Sequence, residues 1–392
     1  MQTGRNLRLL AAAFAASLVL AGCGGGGGTE PPRASIAKVT VAGDSLADVG
    51  TFGARFTVQN SADANSPFRV YPEIIGLTYG ISGQCNFFVA TSPGSSTTPP
   101  TFTTNSKAGC TNFAVGGGRI NVTSPLQGPQ QSIPLQLQTA ATAAGSYSAS
   151  DLLVIDGGGN DAGDVVQAYL GLATGQITAT TYAQFLSTLV DPTTVGTLMA
   201  QGNTGVAQAT GLYFQKLADK YYDAIKGTAL DKGASHVAVL NMPDITVTPN
   251  FTAAKTAVSN ANGGGTAGAT AAANFQGLVR QWISGFNTEL SGRVGGDSRI
   301  ALVDFYSDLN DEVSNPANYG LTEVVKPACV TALGVNAGAS CTSAALDAAP
   351  PAGMTAGWWQ TWAFADGLHP TPFGQQLLSA SVSRAIARAG WI

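Results

Sequence analysis

Charge is scarce in this chain. Lysine, arginine, aspartate and glutamate make up 11% of its 392 residues, against about 25% in a typical soluble protein. The net charge of −4 comes with no basic stripe, so nucleic-acid binding has no electrostatic footing. Histidine is scarcer still, present only as His236 and His369. No two cysteines stand at Cys-x-x-Cys spacing, which leaves a zinc site without its usual ligands. No repeat of fixed period is visible either, and solvation of the surface falls to Ser, Thr, Asn, Gln and Gly.

The apolar run near the start, Leu9 to Leu20, is shorter than the about 20 residues a membrane-spanning helix needs. Arg5 and Arg8 precede it, and Leu20-Ala21-Gly22-Cys23 closes it. This pattern reads as a bacterial lipoprotein signal over residues 1–23, with Cys23 as the lipidated first residue of the mature protein. An ordinary signal peptide or a short membrane anchor is the rival reading. Residues 24–35, rich in Gly and Pro, read as a flexible tether. Residues 36–392 then form one domain with surface insertions at 91–107, 126–150 and 259–271. The expected address is the bacterial cell envelope, most simply the outer membrane.

Four cysteines follow Cys23, an even number in an exported chain, which suggests two disulfides with three connectivities open. The sequence-local choice pairs Cys85 with Cys110 and Cys329 with Cys341.

Short apolar runs at Ile36–Ala42, Phe113–Val115, Leu152–Ile155, His236–Leu240 and Ile300–Val303 end in Gly, Asp or Asn. Apolar on successive residues, they read as strands buried on both faces. Between them lie helical faces, such as Phe275, Leu278, Trp282, Phe286 and Leu290, or Val206, Phe214, Leu217, Tyr221 and Ile225. The last helix is marked by Thr371 as N-cap, Pro372 at its first position and Gly390 as terminator. Alternating strands and helices imply an α/β fold with a mainly parallel sheet covered on both sides.

Chemistry concentrates in four segments: Gly43-Asp44-Ser45-Leu46, Asn112 to Gly117, Gly158-Gly159-Asn160-Asp161 and Asp366-Gly367-Leu368-His369. Ser45 directly follows the first strand, at the end where open α/β sheets place their sites. A serine hydroxyl is a poor nucleophile until a base takes its proton. His236 opens an apolar run and reads as a packed histidine. His369 lies in a polar loop three residues after Asp366, a spacing that lets the carboxylate orient one ring nitrogen while the other faces Ser45. Gly117, Asn160 and the Ser45 amide can supply donors to a developing oxyanion. Gly116 remains open as an alternative to Gly117. The glycine run before Asn160 also resembles a calcium-binding repeat, but such repeats act in tandem and this one occurs once. Trp358, Trp359 and Trp362 lie just before Asp366 and could wall the site, although clustered tryptophans are more often packing.

Together these segments resemble the SGNH hydrolases, the GDSL esterase and lipase family. Gly43 to Gly50 is similar to its first block, Asn112 to Gly117 to its second, Gly158 to Asp161 to its third and Asp366 to Thr371 to its fifth. Asn315 to Leu321, leading to Cys329, resembles the long plant-type and autotransporter branch. The resemblance implies a flavodoxin-like three-layer α/β/α sandwich with a five-stranded sheet. It also implies a Ser45–His369–Asp366 triad, an oxyanion hole from Ser45, Gly117 and Asn160, and no cofactor or metal. Autotransporter relatives carry a C-terminal β-barrel, so here the lipid on Cys23 is the expected membrane anchor. The implied activity is carboxylic ester hydrolysis through an acyl-enzyme. Family substrates range from lipids and short-chain esters to acetylated sugars, so a carbohydrate O-acetyl esterase and a phospholipase or acyltransferase are the alternatives within enzymes. A non-catalytic surface-binding lipoprotein is the alternative outside them, disfavoured by the intact site residues. Nothing in the sequence sets the oligomeric state.

Overall fold

A computed structural model describes residues 34–63 and 66–392. The leader, Cys23 and the tether as far as residue 33 lie outside the described residues.

Four strands form a parallel sheet in the order β1 (Lys38–Ala42), β4 (Asp151–Ile155), β5 (Val237–Leu240) and β6 (Ile300–Val303). Their registers place Val39 beside Leu152, Leu153 beside Val237 and Val237 beside Ile300. β2 (Phe88–Ser92) and β3 (Thr101–Thr104) make a separate antiparallel pair, β2 leading into the first insertion and β3 lying within it.

The expected five-stranded sheet is therefore corrected to four. The run at Phe113–Val115 does lie along the free edge of β1: Val41 N donates to Thr111 O at 3.0 Å and Phe113 N to Val41 O at 2.8 Å. It counts as a single bridge, Val41 to Asn112, because the next rung is half made: Val115 N donates to Gly43 O at 3.2 Å, but Gly43 N donates to Gln136 Oε1 rather than back to the run. With this segment counted at the edge, the order is that of a flavodoxin-like sheet, whose switch point falls between β1 and β4.

Side chains alternate across the sheet and build a core on each face. Leu153, Ile155, Val237 and Val239 pack under the helices Ile133–Ala144, Gly159–Ala173, Asn203–Thr228 and Gly265–Val294. Leu152, Val154, Ala238 and Leu240 pack against Tyr71–Thr78 and Pro372–Arg388. Phe214, Leu217, Tyr221, Trp282, Phe286 and Leu290 are all buried, as their helical spacing predicts. Fully burying a Leu, Val or Phe side chain contributes about 1.5–3 kcal/mol, so the apolar runs bind the three layers together.

Two of the expected insertions contain helices. Residues 126–150 hold Ile133–Ala144, capped by the Ser132 side chain, and 259–271 span the end of Pro249–Ala261 and the start of Gly265–Val294. Alanine is the strongest helix former, and here it outweighs the glycines that suggest a loop. The two disulfides are Cys85–Cys110 and Cys329–Cys341. The former joins residues 25 apart, which corresponds to roughly 3 kcal/mol of loop-closure stabilisation.

Candidate active site

The turn after β1 is held from beneath. Gly43 N donates to Gln136 Oε1 and Asp44 N to Asp156 Oδ1, both at 2.8 Å. A Cβ at Gly43 would lie 1.8 Å from Asp156 Oδ1, so the close approach requires glycine. Asp44 Oδ1 accepts from Leu46 N at 2.9 Å, closing a local turn that presents Ser45 at its tip. Tyr71 donates its hydroxyl to the other Asp156 oxygen at 2.9 Å. Burial pushes both carboxyls up, and Asp156 rises well above the usual range because Asp44 adds repulsion.

The loop before the last helix supplies the base. Asp366 Oδ1 accepts from Leu368 N at 2.9 Å and His369 N at 2.8 Å. A Cβ at Gly367 would meet Asn250 Oδ1 at 1.7 Å, so a side chain there would have to displace that of the exposed Asn250. The His369 ring nitrogen Nδ1 stands 2.8 Å from Asp366 Oδ2, and Nε2 stands 2.7 Å from Ser45 Oγ. Burial alone would raise the Asp366 carboxyl. The hydrogen bond and charge of His369, with the two loop amides, overcome this and hold it at about 2. An ionised Asp366 accepts from Nδ1–H, which leaves Nε2 as the acceptor for the Ser45 hydroxyl. Phe56 covers the imidazole, with ring centroids 5.1 Å apart.

The glycine loop separates Gly116 from Gly117. The Gly116 amide is committed to Asp48 Oδ2 at 2.8 Å, and Gly118 N donates to Val115 O at 2.9 Å. Gly117, at φ +76°, has an N–H with no acceptor among the described residues, and the same holds for the Ser45 amide. Asn160 opens the helix after β4, beyond Gly158 in left-handed conformation. Its Nδ2 donates to Gly118 O at 3.0 Å and lies 3.4 Å from Asp44 Oδ2. Arg119 ties this loop to the same helix through Asp164 and also donates to Gly117 O at 2.5 Å.

Ser45, Asn160 and His369 line one cavity that opens to solvent, whose walls include Leu46, Ile245, Phe305, Leu309, Phe364 and Leu368. The tryptophans are not among its walls. Trp358, Trp359 and Trp362 are buried in a separate cluster with Val58 and the Cys329–Cys341 pair. His236 packs edge-on against Trp391 at the start of β5, away from this cavity. Among the described residues, no group of three or more His, Cys, Asp or Glu side chains is placed to hold a metal ion.

Sequence reasoning missed Asp156, Gln136, Tyr71 and Asp48. Asp156 carried a readable signal, because it is the first polar residue after the fully buried strand β4.

No curated protein matches the chain. Among solved structures it is similar to the extracellular lipase from Streptomyces rimosus, with 14% identity and a TM-score of 0.38 over 89% of this chain and 99% of that one. The family model for GDSL-like lipase/acylhydrolase matches residues 39–382. With that match spanning most of its length, the chain belongs to the GDSL-like lipase/acylhydrolase family.

Proposed function

We propose that this protein hydrolyses carboxylic esters with Ser45 as nucleophile, His369 as general base and acid, and Asp366 as the group that orients and stabilises the imidazolium. The carrying observation is the continuous line from Asp366 Oδ2 to His369 at 2.8 Å and on to Ser45 Oγ at 2.7 Å. Ser45 Oγ attacks the ester carbonyl carbon as its proton passes to Nε2. The negative charge forming on the carbonyl oxygen is met by the Ser45 and Gly117 amides and by Asn160. Collapse breaks the ester bond, the alcohol leaves with the proton from His369, and an acyl-Ser45 remains. Water, activated by the same base, then releases the acid and restores the serine.

Because Asn160 acts on charge present only in the transition state, Asn160→Ala should lower kcat and kcat/KM together by about 10²–10³ with KM nearly unchanged. Steady-state kinetics on a nitrophenyl ester checks this, and retained turnover would leave Asn160 as a turn residue.

The apolar wall of Ile245, Phe305, Leu309 and Phe364 supports an acyl chain longer than acetyl as the group held beside Ser45. The test is a series of nitrophenyl esters from acetate to palmitate, run beside acetylated xylan. The reading predicts kcat/KM that rises beyond acetate and little release from xylan. An optimum at acetate with xylan deacetylation would instead identify a sugar esterase, and no turnover of any ester by folded protein would identify a binding protein. We further propose that lipid on Cys23 tethers the enzyme to the cell envelope, a reading supported by the Leu20-Ala21-Gly22-Cys23 signal.

A further inference from the structure

One of the two disulfides closes a loop that reaches the carboxylate of the site. Cys329 and Cys341 are both fully buried. At one end of the loop, Ala328 N donates to Phe364 O and Cys329 N to Ala365 O, at 2.9 and 2.8 Å, on the residues just before Asp366. At the other end, Gly338 N donates to Thr57 O at 3.1 Å and Gln59 N to Cys341 O at 2.7 Å. Stretched between these anchors, the loop donates Ala337 N to Asp366 Oδ2 at 3.0 Å.

That bond acts where the side chain cannot orient itself. The terminal torsion of an aspartate is broad and roughly two-fold, so its own rotamer preference fixes the carboxylate plane poorly. The donors around it must do so. The imidazole Nδ1 stands against both carboxylate oxygens, at 2.9 Å from Oδ1 and 2.8 Å from Oδ2; Oδ1 is also held by two amides of its own loop, whereas Oδ2 has Ala337 N as its one backbone donor among the described residues. We propose that the disulfide-closed loop 329–341 is a positioning element for catalysis, with the Ala337 amide setting the plane of the carboxylate that orients His369. The proposal rests on the reading of Asp366 as the triad carboxylate.

The direct variant is Cys329→Ser/Cys341→Ser in the full chain, assayed on a soluble nitrophenyl ester across pH. The expected result is a kcat lowered roughly 10-fold, within the about 10²-fold that a 1 Å misplacement can cost, with KM within about two-fold. Removing a donor also makes Asp366 a stronger acceptor toward the imidazole. The acid limb of kcat/KM should therefore move to higher pH. Among the described residues Asp44 also interacts with His369, and in turn with Arg119, and the substitutions alter neither. A loss of folded molecules alone would lower the rate at every pH without moving the limb. Cys85→Ser/Cys110→Ser serves as the comparison, because that bridge touches no triad atom; it should keep kcat while losing stability.

If the first double variant fails to fold, Ala337→Pro removes the N–H with the disulfide intact and should give the same limb shift. Wild-type kcat and an unmoved limb in folded loop variants, beside an inactive Asp366→Asn, would overturn the proposal alone. An active Asp366→Asn would overturn the triad reading and the proposal with it.

Discussion

Replacing Ser45 with alanine is expected to abolish ester hydrolysis, with a loss on the order of 10⁶ in kcat, the scale seen when a serine hydrolase loses its nucleophile. The fold is expected to survive this change. Ser45 is 7% exposed, and the turn that presents it is held by Gln136, Asp156 and the Asp44 side chain rather than by its own hydroxyl. That hydroxyl faces His369 Nε2, and alanine leaves no large void behind. Urea unfolding should accordingly show a midpoint close to wild type, while initial rates on a nitrophenyl ester fall to the residual that oxyanion donors and binding alone provide. A variant keeping a tenth or more of wild-type turnover would place the nucleophile elsewhere.

Asp366→Asn is expected to lose about 10⁴ in kcat while keeping the site almost isosteric. The reason lies in the direction of one proton. An ionised carboxylate accepts from Nδ1–H and so leaves Nε2 free to take the Ser45 proton. An asparagine that turns its amide N–H toward Nδ1 reverses the ring, and Nε2 then carries a proton where an acceptor is needed. Because the carboxyl sits at about 2, the wild-type group is ionised throughout the working range, and lowering pH to ordinary assay values should not imitate the variant. Comparing kcat from pH 5 to 9 for the two proteins checks this; a loss below 10-fold would mean that other contacts orient His369.

The chemistry was legible because it is local. Asp366 and His369 sit in one tight loop, and Ser45 and Asn160 each follow the carboxyl end of a strand that burial makes visible as an apolar run. The sheet was nearly as legible, since β1, β4, β5 and β6 are apolar on successive residues. The fifth strand was overread, because nothing in the run Phe113–Val115 reveals that the Gly43 amide, its next ladder donor, is taken by Gln136. What stayed hidden is what depends on long-range placement. Gln136 reaches Gly43 across 93 residues, and Tyr71 reaches Asp156 across 85. Neither pairing has a periodicity or a motif. The bond by which Asp48 claims the Gly116 amide from 68 residues away was likewise invisible; the preference for Gly117 rested on the family resemblance. The tryptophans follow the packing reading rather than the substrate wall: the Trp358 and Trp359 indole N–H groups donate to Leu346 O and Asp347 Oδ1 inside a buried cluster that also holds Trp362.

The central claim, that Ser45 is the activated nucleophile, is tested most directly by reacting the protein with a fluorophosphonate and locating the adduct by peptide mass spectrometry. The account predicts one phosphonylated residue, Ser45, with labelling abolished in Ser45→Ala and strongly slowed in Asp366→Asn. An adduct on any other serine, or undiminished labelling of Ser45→Ala, would contradict it.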